Sequence, residues 1–181
     1  MLSSIIAAIQ LACAIILSGI LLIAALHKIR DRAAFKQVLS GYQLLPTAWH
    51  GVAVWLLILL EFLAGCLLLS PNWLVTGALL AVALMVLYAA VISITLLRGL
   101  KLQDCGCSGA AQTQQVSAGL LLRNLILICL GLMVVLGEPK YQAATLMNAA
   151  PFSVFMLITY LNSGLIMINK SKLENLRAYR G

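Results

Sequence analysis

The chain has 181 residues, of which 63% are apolar and only 9% are charged. Soluble domains carry about a quarter charged residues, so this composition excludes a soluble enzyme, a disordered segment and a fibrous rod. The net charge is +7, from twelve Lys and Arg against five Asp and Glu. Most basic residues stand beside apolar runs, which is typical of membrane topology and not of a nucleic-acid-binding surface.

Five apolar runs are each long enough, at about 20 residues, to cross a bilayer as helices. In chain order they cover residues 4–26, 51–69, 73–97, 118–137 and, more weakly, 151–168. The first run lacks a basic start and is too long for a secretion signal, so we expect it to be retained. The turn Ser70-Pro71-Asn72 makes an antiparallel hairpin of the second and third runs.

The predicted fold is therefore an all-α polytopic membrane protein. Residues 1–140 form a four-helix transmembrane bundle, and residues 141–181 form a fifth transmembrane helix and a basic tail. In the first long loop, Phe35, Val38, Leu39 and Tyr42 are spaced i, i+3, i+4 and i+7. This spacing predicts a short amphipathic helix that lies on the membrane or covers the bundle.

With five spans, both long loops and the C-terminal tail lie on one side of the membrane, which we call the loop side. Ten basic residues lie there: Lys28, Arg30, Arg32, Lys36, Arg98, Lys101, Lys170, Lys172, Arg177 and Arg180. The opposite side has only Lys140. The positive-inside rule therefore predicts that the loop side is cytoplasmic.

The second long loop contains Cys105-Gly106-Cys107. Two thiols at this spacing can close a small strained disulfide, and strained exposed disulfides are the labile or catalytic kind. Arg98, Lys101 and the start of the fourth helix favour a thiolate, whereas Asp104 opposes it or accepts a proton. The pair could also bind Cu(I) or Zn, or be purely structural. The absence of a second cysteine pair or nearby histidine argues against a closed zinc site, and we predict no metal and a redox-active dithiol.

Glu61 lies near the middle of the second span, where an ionisable residue is costly and is a functional candidate by default. It could relay protons, pair with Arg123 or Lys28, or make a structural bond between helices. We expect Glu61 and Arg123 to face the interior of the loop-side half of the bundle.

Arg123-Asn124 lies near the loop-side interface, about one and a half turns into the fourth helix. Arg123 could extend to that interface, or face inward to stabilise a thiolate, pair with Glu61 or bind a quinone carbonyl. His27 and Lys28 close the first helix, where the helix dipole alone favours a basic residue.

Structural roles are predicted for three further sets of residues. Inert packing is predicted for Cys13, Cys66 and Cys129, although Cys129 could act as a resolving thiol. Interfacial positions are predicted for Trp49, Trp55 and Trp73. Close helix packing is predicted at Gly65, Gly77 and Gly131.

The motifs together resemble a known family. They are His27-Lys28, Asp31, Phe35, Gly41-Tyr42, Leu45-Pro46, Glu61 with Gly65, Asp104-Cys105-Gly106-Cys107-Ser108-Gly109 and Arg123-Asn124. This series is similar to the MauE family, within the broader DoxX-like group, over most of residues 1–140. Family members often have an aromatic residue where Ser108 stands, a departure that concerns partner docking.

The resemblance implies maturation of a disulfide-rich exported protein, such as the methylamine dehydrogenase small subunit, with a thioredoxin-like partner. The layout is also similar to vitamin K epoxide reductase, which implies electron transfer through Cys105 and Cys107 to a membrane quinone. The resemblance also implies a location in the bacterial inner membrane. Because disulfide formation belongs in the periplasm, it implies a periplasmic loop side, against the charge count. The competing function is a non-enzymatic assembly, transport or metal-delivery subunit.

Overall fold

The computed structural model describes residues 2–43, 46–98 and 118–137, together with residues 153, 154 and 158. Five α-helices occur in this part of the chain: α1 (Leu2–Arg30), α2 (Arg32–Gly41), α3 (His50–Leu69), α4 (Leu74–Leu97) and α5 (Ala118–Leu136). A 3-10 turn at Thr47–Trp49 leads into α3. Most of the predicted fifth transmembrane helix lies outside the described residues.

Four of these helices are long and apolar enough to cross a membrane: α1, α3, α4 and α5. Their large outward-facing residues, such as Leu59 and Phe62, are exposed on the surface of the bundle. Leu17, Leu21, Ala64, Leu68 and Ala78 lie in a common buried core. The helices therefore form a bundle that turns apolar side chains both inward and toward lipid, as expected for membrane-spanning helices. This confirms the predicted all-α membrane fold.

The helices approach one another most closely at glycines. A Cβ atom added at Gly65 would lie 2.7 Å from Leu22 of α1, and one added at Gly77 would lie 2.6 Å from the backbone nitrogen of Leu68. At Gly131 it would lie 2.5 Å from Val82 of α4. Ser18 of α1 also donates a hydrogen bond of 2.8 Å to the carbonyl of Gly65. The predicted close packing at all three glycines is confirmed.

The hairpin between α3 and α4 closes through a hydrogen bond of 3.1 Å from Trp73 N to the Ser70 carbonyl. Trp73 consequently belongs to the turn and not to the helix, where the sequence placed it. The side chains of Trp49, Trp55 and Trp73 are all more than half exposed, as expected for residues in interfacial belts.

The amphipathic helix predicted in the first loop is α2. It begins after Asp31, whose carboxylate accepts a hydrogen bond of 3.2 Å from Ala34 N and so caps the helix. Phe35 is buried against Val54 and Ile58 of α3, while Arg32 and Lys36 are exposed. Of the two predicted placements, α2 therefore adopts the one that covers the bundle.

The first helix differs from the prediction at its C-terminal end. We expected its membrane span to end at Leu26, with the basic residues that follow excluded from the apolar interior. Instead α1 continues to Arg30, and Lys28 in its last turn is buried. The reason is a partner on the neighbouring helix α3, described below.

Candidate functional site

Lys28 and Glu61 form an ion pair inside the bundle. Lys28 belongs to the last turn of α1, and Glu61 lies near the middle of α3. Both side chains are completely shielded, with 0% relative exposure. Lys28 Nζ donates to Glu61 Oε1, so Lys28 is the basic partner of Glu61. The sequence left Lys28 and Arg123 as possible basic partners of Glu61, and the structure pairs Glu61 with Lys28.

Tyr88 of α4 completes the group. Its hydroxyl donates a hydrogen bond of 2.5 Å to Glu61 Oε1 and accepts one of 3.3 Å from Lys28 Nζ. One residue from each of three spanning helices thus meets at a single carboxylate oxygen. We call Lys28, Glu61 and Tyr88 the buried triad.

Aromatic rings surround the ammonium of Lys28. Lys28 Nζ lies 5.0 Å from the ring centroid of Phe35 and 5.1 Å from that of Tyr88. Both distances suit a cation–π interaction, which is strongest where the cation is shielded from water. Phe35 reaches this position because α2 covers the bundle, and Arg32 of the same helix lies 4.9 Å from the Trp55 ring of α3. The triad is therefore covered by α2.

The second carboxylate oxygen of Glu61 is in a different situation. Oε2 is buried and has no hydrogen-bond partner among the described residues. Buried carboxylate oxygens are normally satisfied by donors, so this atom leaves acceptor capacity inside the bundle. The triad can thus hold a charge, bind a hydrogen-bond donor or exchange a proton. Within the described part of the chain, no group of three or more His, Cys, Asp and Glu is arranged to hold a metal ion.

The other predicted site residues fall into three positions. His27 is exposed, next to buried Lys28. On α5, Asn124 is buried, and its Nδ2 has no hydrogen-bond partner among the described residues. Arg123 is half-buried, with its Nε shielded from solvent. Glu61 faces the interior as predicted, whereas in the Arg123-Asn124 pair it is Asn124 that is directed fully into the core.

Asp104, Cys105 and Cys107 lie outside the described residues. The helices on either side of them are described: α4 ends at Leu97 and α5 begins at Ala118. Both of these ends belong to the same side of the bundle as the last turn of α1, which carries Lys28. The chain between α4 and α5 therefore leaves and re-enters the bundle on the side of the triad.

The three remaining cysteines do not share one environment. Cys13 is buried in the core, which confirms its packing role. Cys66 and Cys129 are exposed on the outer surface of the bundle, so the prediction that they pack inside was wrong. A lipid-facing position accepts a small apolar thiol as readily as a core does, which is why hydropathy alone did not separate the two cases.

Sequence reasoning missed Tyr88. No role was predicted for Tyr88 from the sequence, yet it lies nine residues before the end of α4 and is buried. The sequence feature that could have identified Tyr88 is its position well inside the apolar run, because a phenol hydroxyl far from the interface requires a polar partner. Glu61, the one acidic residue in the neighbouring span, was the partner to consider.

Comparisons with known proteins agree with this architecture. The family model described as "Methylamine utilisation protein MauE" matches residues 6–137. A curated relative, the methylamine utilization protein MauE of Paracoccus denitrificans, is 32% identical over 155 residues, covering 84% of this chain and 83% of the relative. No solved structure matches the chain. The match spans all the described helices apart from the first residues of α1, and the chain belongs to the MauE family of multi-pass membrane proteins.

Proposed function

We propose that this protein is a membrane maturation factor that introduces or processes disulfides in an exported protein of methylamine utilisation. The observation that carries the proposal is the similarity to MauE over most of both chains, in a sequence that also contains Cys105-Gly106-Cys107. By the resemblance, the client is the methylamine dehydrogenase small subunit, and a thioredoxin-like protein assists. We propose the bacterial inner membrane as its location, with the loop side in the periplasm.

The redox group of this proposal is the pair Cys105 and Cys107. A disulfide between them accepts two electrons from two client thiols, so the client gains a disulfide and the pair becomes a dithiol. A membrane quinone, reduced to quinol, takes the two electrons and the two protons when the pair is reoxidised. Asp104 acts as a proton acceptor, and the positive start of α5 stabilises the thiolate that leaves the pair when a client thiolate attacks its disulfide.

The remaining predicted residues support this chemistry from the bundle. The buried triad places an acid–base group on the side of the bundle where α4 ends and α5 begins. Arg123 and Asn124 lie in the first turns of α5, close to the end of the cysteine loop. We propose that residues 1–140 carry the activity and that residues 141–181 anchor and orient it.

The test replaces the cysteines in cells that produce the client. Cys105→Ser and Cys107→Ser should each abolish client maturation, and each single variant should trap a mixed disulfide that is visible on non-reducing gels. Cys66→Ala is the matched control, because Cys66 lies on the outer surface, and it should mature the client normally. Full maturation by the double serine variant would contradict the proposal and favour a non-enzymatic assembly, transport or metal-delivery subunit.

A further inference from the structure

The carboxyl group of Glu61 is bound on one side only. Oε1 takes the contacts of both Lys28 Nζ and Tyr88 Oη, whereas Oε2 is buried and has no hydrogen-bond partner among the described residues. We propose that Oε2 is a proton-accepting position within the membrane, at which Glu61 exchanges a proton with a weakly acidic O–H or S–H group. This inference goes beyond the thiol chemistry above, because it depends on the described residues alone.

The energetics of this arrangement do not suit a purely structural role. An ion pair that is entirely buried recovers little more than its cost of desolvation, and apolar residues of similar size often stabilise a fold as well or better. An acceptor left open beside it adds a further cost, because a buried lone pair loses its hydrogen bonds to water. Stability alone therefore does not account for this arrangement, whereas ionisable groups inside membranes typically serve proton or ligand exchange.

Charge is balanced when Oε2 takes up a proton. When a donor X–H gives its proton to Oε2, Glu61 becomes a neutral carboxylic acid and X⁻ remains. Lys28 stays charged, so the site has the same net charge before and after the transfer. The ammonium does not depend on Glu61 alone, because Tyr88 Oη lies 3.3 Å away and two aromatic rings lie 5.0 and 5.1 Å away. Lys28 is therefore placed to stabilise the anion that forms.

Glu61 contacts only one other charged group among the described residues. From α1 the only charged group in contact with Glu61 is Lys28, and from α4 the titratable group is Tyr88. The cover α2 contributes the Phe35 ring, while its basic Arg32 and Lys36 are exposed.

On α3 itself, His50 is buried at the start of the helix, three turns from Glu61. On α5, which packs against α1 and α4, the polar or titratable residues are Arg123, Asn124 and Cys129. A proton that reaches this group can be accepted at Glu61 Oε2, which is buried and open.

Infrared spectroscopy of the full chain in phosphatidylcholine vesicles tests the proposal. The sequence contains only three glutamates, Glu61, Glu138 and Glu174, so ¹³C-glutamate labelling yields three carboxyl signals. We expect one carboxylic-acid band to rise and fall reversibly with pH while the helical content is constant. That band should shift in D₂O and be lost in Glu61→Gln.

The Cys105→Ser/Cys107→Ser variant separates this inference from the proposed function. The band should be retained in it, because the equilibrium protonation of Glu61 does not depend on which group delivers the proton. This outcome is independent of whether the variant still matures the client. A Glu61 that stays ionised wherever the helices persist, or a band that does not shift in D₂O, would overturn the inference and leave the triad as a structural ion pair.

Discussion

At the residue scale, the buried triad concentrates the polar chemistry of the described helices in one place. Lys28 and Glu61 would each be prohibitively costly alone in an apolar bundle, and each is tolerated because the other neutralises it. Tyr88 adds a donor that no aliphatic residue could supply. Lys28 and Glu61 therefore depend on each other: removing either one alone leaves an unpaired buried charge, whereas removing both leaves none.

This dependence predicts a non-additive pair of variants. Lys28→Met keeps the length of the side chain but leaves Glu61 without its charged partner. It should lower the free energy of unfolding by about 3 kcal/mol. Adding Glu61→Gln should recover most of that loss, because the stranded charge is gone. Thermal unfolding in detergent, followed by helical content, measures both.

Lys36→Met is the matched control, since Lys36 is an exposed lysine on α2 and its loss should change stability little. Additive losses in the double variant would show that Lys28 and Glu61 act independently and would contradict the pairing.

The sequence predicted part of this site and missed the rest for a physical reason. Glu61 was identifiable because hydrocarbon penalises any charge, wherever its partner lies. For the basic partner of Glu61 the sequence left two candidates, Lys28 and Arg123, because the choice depends on which helices are neighbours. Tyr88 was missed because a tyrosine in an apolar run is ambiguous between an interface and an interior until the depth and rotation of its helix are known.

At the element scale, close approach of backbones and the cover α2 position the triad. Gly65 brings α1 against α3, the two helices that supply Lys28 and Glu61, and Gly77 brings α3 against α4, which supplies Tyr88. The Ser18–Gly65 hydrogen bond adds a polar contact between α1 and α3. Apolar helices in lipid lack a hydrophobic drive to associate, so such close contacts decide which faces meet.

Alanine substitutions at three glycines should therefore differ in a fixed order. Gly77→Ala should be the most damaging, at about 1–3 kcal/mol, because its Cβ would strike the backbone of Leu67 and Leu68, which cannot move aside. Gly65→Ala should cost less, since Leu22 presents a side chain that can rotate.

Gly51→Ala is the control, because nothing lies within 4 Å of its Cβ position and alanine favours the helix. Thermal unfolding of the three variants in one detergent gives the comparison. A Gly51 variant as unstable as the Gly77 variant would contradict the packing described here.

The sequence predicted the bounds of three spanning helices closely and the end of α1 less well. Apolar length predicted α3, α4 and α5 to within about one residue, because the bilayer thickness constrains such helices directly. The end of α1 was placed four residues too early, since hydropathy scores Lys28 as an exposed charge and takes no account of Glu61. The periodicity of α2 identified its buried face but did not distinguish the membrane surface from the bundle, because both present apolar surroundings.

At the scale of the whole molecule, the loop side is where the functional features gather. The last turn of α1, the cover α2, the end of α4 and the start of α5 all belong to it. The charge count assigns this side to the cytoplasm, although Lys28 no longer belongs in that count because it is buried and paired. The proposed disulfide chemistry requires the periplasm, so orientation is the point on which the proposal depends most.

Thiol labelling of intact cells with a membrane-impermeant maleimide tests this orientation most directly. After reduction of the pair with a membrane-impermeant phosphine, we expect Cys105 and Cys107 to react before permeabilisation, and the Cys105→Ser/Cys107→Ser variant to show the background from Cys13, Cys66 and Cys129. That background should be low, because these three cysteines lie within membrane-spanning helices. Labelling of Cys105 and Cys107 only after permeabilisation would place the pair in the cytoplasm and contradict a role in periplasmic disulfide maturation.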